Sequence, residues 1–64
     1  MNTVFNPRRF SVCSMLDDGR LRIHFTTDSY DQADEKLDYY SELFPNGFVD
    51  IYKRDVLLNC VIAD

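Results

Sequence analysis

Three side chains in this sequence carry the soft or nucleophilic atoms that metal binding and covalent catalysis use most: Cys13, His24 and Cys60. Structural zinc takes four ligands, usually with closely spaced cysteine pairs. No Cys-x-x-Cys spacing occurs here, and a fourth ligand would have to be a carboxylate. A Cys13–His24 nucleophile and base would need a cleft, an oxyanion hole and a residue to orient the imidazole. The sequence shows none of these parts. The expectation is no catalytic residue, no metal and no cofactor, with a minimal metal-binding or thiol protein as the third-ranked reading. The two cysteines read as free thiols. The N-terminus lacks the charged-then-apolar pattern of a signal peptide, and cytoplasmic thiols stay reduced.

Acidic and aromatic side chains are the other candidates. The 64 residues hold 11 Asp and Glu against 7 Lys and Arg, a formal net charge of −4. That sign disfavours binding to nucleic-acid phosphates, so a nucleic-acid partner is not expected. Arg8, Arg9, Arg20 and Arg22 fall in the first third, Lys36 stands alone in the middle, and Lys53 and Arg54 sit near the end. Asp28, Asp31, Asp34, Glu35, Asp38 and Glu42 crowd between them. On a helix, Asp28 and Asp31 lie near the positive end of the dipole, which accounts for them. Asp38 and Glu42 lie beyond its reach. They belong either to an ordinary solvated face or to an acidic surface that docks on a basic groove. Tyr39 falls off the apolar stripe and is expected to be exposed beside Glu35 and Glu42. Exposed aromatics are enriched at binding hot spots.

Positioning these groups requires a fold, and the composition supports one. Hydrophobic residues make up 45% of the chain, with four Tyr and five Phe, which argues against disorder. A chain this short buries only about 60% of its unfolded surface, so its stability is marginal unless a partner covers it. No apolar run reaches the roughly 18 residues of a membrane span, and no membrane partner is expected. The expected compartment is the cytoplasm.

Residues 1–9, with Asn6-Pro7 ahead of two arginines, read as an irregular arm, and 10–64 as a single domain. From Phe10 to Leu16 the pattern alternates, placing Phe10, Val12, Ser14 and Leu16 on one face and Ser11, Cys13 and Met15 on the other. From Leu21 to Thr26 it sets Leu21, Ile23 and Phe25 against Arg22, His24 and Thr26. Asp18-Gly19 between the two runs predicts a two-residue type I′ hairpin. That register puts Leu16 opposite Leu21, Val12 opposite Phe25 and Cys13 opposite His24.

Ser29 with Gln32 reads as a capping box. Tyr30, Ala33, Leu37, Tyr40 and Phe44 then recur at helical spacing, with Leu43 widening the stripe. Pro45-Asn46-Gly47 stops the helix. Phe48 to Arg54 is a third strand, with Val49 and Ile51 on one face and Phe48, Asp50 and Tyr52 on the other. Val56 to Ala63 is almost continuously apolar and reads as a fourth strand, buried on both faces or covered by a partner. The order is ββαββ, an α+β fold with one helix on one face of a mostly antiparallel sheet. One helix leaves the second face open. Met15, Phe48, Tyr52 and Leu57 or Val61 would form an apolar patch there, for a partner, a second copy, or Val4 and Phe5 of the arm. The expected partner contacts are therefore Glu35, Asp38, Tyr39, Glu42, Phe48 and Tyr52.

The segments Phe25-Thr26-Thr27, Ala33-Asp34, Asp38-Tyr39-Tyr40, Phe44-Pro45-Asn46-Gly47 and Val49-Asp50-Ile51 resemble small bacteriophage-encoded α+β proteins, including those of cyanobacterial phages. The resemblance covers the middle of the chain and rests on a strand end, the helix stripe and the Pro-Asn-Gly stop. It implies a host-takeover or accessory protein that acts by binding in the host cytoplasm, and it brings no catalytic residue. The first-ranked expectation is a small acidic protein-binding module that inhibits or modulates a host protein. The second is a structural or assembly protein that forms a homodimer through its sheet.

Overall fold

The computed structural model describes residues 8–45 and 47–63. In chain order they form β1 (Phe10–Met15), β2 (Leu21–Thr27), α1 (Tyr30–Leu43), β3 (Phe48–Lys53) and a single helical turn, α2 (Arg54–Leu57). The strands make one antiparallel sheet in the order β2-β1-β3, with α1 packed on it, which is the expected α+β class. Most of the N-terminal arm, including Val4 and Phe5, lies outside the described residues.

The β1–β2 connection is not the expected type I′ turn. Gly19 has a positive φ of 88°, and no residue other than glycine does among those described. The Gly19 N–H donates to the Leu16 carbonyl (3.0 Å), and the Leu16 N–H donates to the Arg20 carbonyl (2.7 Å). The loop is therefore three residues long, Asp17-Asp18-Gly19, closed by a left-handed glycine. The Asp18 carboxylate accepts from the Arg20 backbone N–H (3.0 Å) and the Arg20 Nε (2.6 Å). The extra loop residue slips the adjacent register by one, so Met15 faces Leu21 and Cys13 faces Ile23. A bulge at Val12/Cys13 leaves His24 without a ladder partner and brings Val12 back opposite Phe25. The Val12–Phe25 pairing is as expected; the Leu16–Leu21 and Cys13–His24 pairings do not form.

Partners across a ladder share a face. Phe10, Val12, Phe25, Val49 and Ile51 therefore face one way, and α1 lies on that side. The Phe10 ring meets Tyr30 edge-on at 5.4 Å, and Ala33 is fully buried. The helix begins as its sequence predicts, with the Ser29 Oγ accepting from the Gln32 N–H (3.4 Å). The return half of the capping box runs through Thr27 instead. The Ser29 N–H donates to Thr27 Oγ1 (3.1 Å), and that hydroxyl donates to Gln32 Oε1 (2.9 Å).

The fourth strand expected over Val56 to Ala63 is not formed. After α2 the chain turns and touches β2 at one parallel bridge, Leu21 to Ile62. The Leu21 N–H donates to the Val61 carbonyl (2.8 Å) and the Ala63 N–H to the Leu21 carbonyl (2.7 Å). Leu57 is buried against Cys13 and Leu21, with Ile23, Tyr52, Cys60 and Ile62 packed around them. The physical reason lies in the register slip. It moves Leu21 and Ile23 onto the Cys13 face, away from the helix, and that apolar face needs a cover. The apolar tail lies across it rather than beside it. The second sheet face is thus covered by the chain itself, which corrects the expectation of an open one. Met15 and Phe48, paired at its end, stay exposed.

Candidate functional site

Two surface sites remain, at opposite ends of the sheet. The first is built around His24. Freed from the ladder by the bulge, its ring stacks on Tyr40 (5.0 Å, 18° between planes) and on Phe44 (4.9 Å, 17°). Its Nε2 shares a hydrogen bond with Ser14 Oγ (2.8 Å). Burial first, and the charge of Arg22 second, push its pKa below the ordinary value of 6.5. Ser14 and His24 thus form a hydroxyl–imidazole pair on the helix side of the sheet. The Ser14 hydroxyl is buried, and among the described residues no carboxylate orients the other ring nitrogen. What the pair accomplishes is to fix the ring and seat the end of α1. An open groove of about 400 Å³ runs beside it, lined by Met15, Leu16, Arg22, His24, Leu43 and Phe44 among others.

The expected partner residues divide around this end. Glu35, Asp38, Tyr39 and Glu42 are all exposed on α1. The Tyr39 ring leans edge-on against Tyr40 (5.0 Å), and Lys36 Nζ sits 5.6 Å from the Tyr39 ring and 5.5 Å from that of Phe25. Phe48 is 79% exposed. Tyr52 is half-buried and packs against the Cys13–Leu21–Leu57 cluster, so it serves the core more than a partner surface.

Cys13 and Cys60 share that same cluster, and both are free thiols. Burial, followed by the neighbouring Cys60, pushes the Cys13 pKa up to about 12. A thiol so placed is inert as a nucleophile. His24 lies on the other side of the sheet, so the Cys13–His24–Cys60 grouping comes apart. Among the described residues no three ligating side chains converge on one point.

The second site is not foreshadowed in the sequence. The β1–β3 register sets Phe10 opposite Lys53, and the Arg54 N–H continues the ladder to the Arg9 carbonyl (3.1 Å). Cations some 45 residues apart in sequence, by the numbering, thereby meet at one end of the sheet. A cleft of about 290 Å³ lies there, lined by Arg9, Phe10, Lys53, Arg54 and Asp55. Behind it, the Asp28 carboxylate accepts from the Arg9 backbone N–H (3.1 Å) and the Arg8 guanidinium (3.3 Å). The Arg9 N–H, with the charges of Arg8 and Arg54, holds the Asp28 pKa below its ordinary value. The only available signal was the position of the basic pairs, Arg8-Arg9 just before β1 and Lys53-Arg54 at the end of β3.

Comparison with known proteins yields no relative: no family model matches the chain, and no curated protein or solved structure matches it. Among the described residues no helix is long and apolar enough to cross a membrane.

Proposed function

We propose that this chain is a small protein-binding module that inhibits or modulates a host protein, in keeping with the phage-like resemblance of its middle segment. The observation that best supports this reading is the set of exposed apolar side chains at one end of the sheet: Met15, Leu43 and Phe44, which line the His24 groove, and Phe48, paired with Met15 across the ladder. So many large apolar side chains at one end of a small domain mark an interaction surface. The acidic side of α1, with Glu35, Asp38, Tyr39 and Glu42, adjoins it. The partner surface that fits is an apolar pocket bordered by lysine or arginine. Phe48 and Tyr39 act as the anchors, and the three acids steer and orient the encounter.

The test uses the full chain as bait in a lysate of its native host cell. Two variants accompany it: the triple reversal Glu35→Lys, Asp38→Lys, Glu42→Lys, and Phe48→Ser. All four substituted positions are exposed, so circular dichroism should show both variants folded. The expected outcome is one partner retained by the wild type and bound about tenfold or more weakly by each variant. A partner held equally by all three proteins, or none held at all, would sink the proposal. A second reading, self-assembly through the sheet, is favoured by the position of β3 at the sheet edge, where no described strand pairs with its outer side. Sedimentation that shows a concentration-independent dimer, lost on Val49→Pro, would select it.

A further inference from the structure

We propose that the cleft between Arg9, Phe10, Lys53 and Arg54 binds a small phosphate-bearing ligand. The cleft lies at the far end of β1 from those exposed apolar side chains, about 17 Å along the strand. It is therefore separate from the docking surface proposed above and does not rest on it.

The chain as a whole carries −4, yet the cleft is lined by three cations and one anion, Asp55. Among the described residues Arg9, Lys53 and Arg54 form no ion pair. Asp28, behind the cleft, is engaged by Arg8 and the Arg9 backbone and also feels the charge of Arg54, with which it forms no ion pair. Cations gathered this closely repel one another, and a bound anion relieves that repulsion. Against a lining of net +2, a dianion gains more than a monoanion, and a phosphate monoester carries close to two charges near neutral pH. Two guanidinium forks and one ammonium suit tetrahedral phosphate oxygens.

Phe10 forms an apolar wall. Its ring is fixed edge-on by Tyr30 at 5.4 Å, with the Arg9 guanidinium 5.6 Å from its centre. A volume of about 290 Å³ admits a phosphate with a short organic group, near the lower bound for small-molecule sites. A polyanion is disfavoured because the acidic chain would repel it at longer range. The ligand is therefore a small phosphate, either inorganic or esterified.

The test is an amide-shift titration of the full chain by NMR at pH 7.5 and constant ionic strength. The probes are inorganic phosphate, phenyl phosphate and acetate. Saturable shifts are expected at the amides of Arg9, Phe10, Arg54 and Asp55 with both phosphates. The variant Lys53→Gln with Arg54→Gln should bind them about tenfold or more weakly. Both side chains are exposed, so the fold should persist. Lys36→Gln, on α1, should leave binding unchanged. Tighter binding of phenyl phosphate assigns the site to an organic phosphate resting on Phe10; equal affinity assigns it to free phosphate. Shifts that rise linearly without saturating, that persist in the double variant, or that acetate reproduces would overturn the proposal.

Discussion

His24 and Cys13 lie on opposite sides of the sheet and titrate in opposite directions from their ordinary values. Burial under two aromatic rings, followed by the charge of Arg22, lowers the His24 pKa below 6.5. Burial in the second core, followed by Cys60, raises that of Cys13 from 9.0 to about 12. Below pH 6.5 the unfolded chain takes up a proton at His24 that the folded chain resists. Stability is thus full above 6.5 and is lost as pH falls toward the folded value. Above pH 9.0 the unfolded chain releases a thiol proton that the folded chain keeps, so stability falls as pH rises toward the folded value. Asp18 and Asp28, both held low by their partners, add losses only below 3.8. The urea-unfolding midpoint should therefore be flat between about pH 6.5 and 9 and decline on either side. His24→Phe preserves the stack on Tyr40 and Phe44 but removes the titration. It should abolish the decline between about pH 6.5 and 5, a range in which unfolded carboxylates stay ionised. A decline that survives in this variant would assign it to another group.

At the level of elements, α1 is the most legible part of the sequence because its cap, stripe and stop agree. Ser29, Ala33 and the Pro45–Gly47 stop all fall where their types predict. Third-strand boundaries are nearly as clear. The hairpin is legible in position but not in register. Asp-Gly suits both a two-residue type I′ loop and a three-residue loop with a left-handed glycine. Only the φ of Asp18 separates them, and a slip of one residue moves Leu21 and Ile23 to the other face. The candidate sites inherit that limit. The exposed acids and Tyr39 follow from helical spacing alone. The His24 stack follows from a bulge, and the basic cleft from a pairing of distant strands, neither of which leaves a local signature. The loop type has a direct test. Nothing lies within 4 Å of a Cβ added at Gly19, so Gly19→Ala should cost only its backbone strain, about 1–2 kcal/mol. Asp18→Gly should also destabilise, because it removes the contacts to Arg20 at a position with no need for positive φ. In a type I′ turn the same change would stabilise. Urea unfolding of the two variants decides between the loops.

The whole molecule is two thin cores on either side of one sheet, α1 closing the first and the tail from Arg54 onward closing the second. Val12, Cys13, Leu21, Ala33 and Leu57 are the fully buried apolar residues among those described. A chain of this length has a total stability of about 3–10 kcal/mol, so each of them matters. The tail also explains why the apolar run from Val56 to Ala63 misleads. A continuous run of this length fits either a buried strand or a segment laid across a face, and periodicity alone does not choose. The two arrangements differ in which residues bear the load. A strand buried on both faces would make every apolar position in the run costly to change. The observed cap places the load on Leu57, which is fully buried, while Leu58 and Val61 are more than half exposed. Leu57→Ala should therefore cost about 2–5 kcal/mol, a large share of the total. Leu58→Ser and Val61→Ser should each stay within about 0.5 kcal/mol of the parent. Thermal unfolding followed by circular dichroism measures all three. Comparable losses at Leu58 or Val61 would mean that the run is buried on both faces, and that the second side of the sheet is closed by a strand after all.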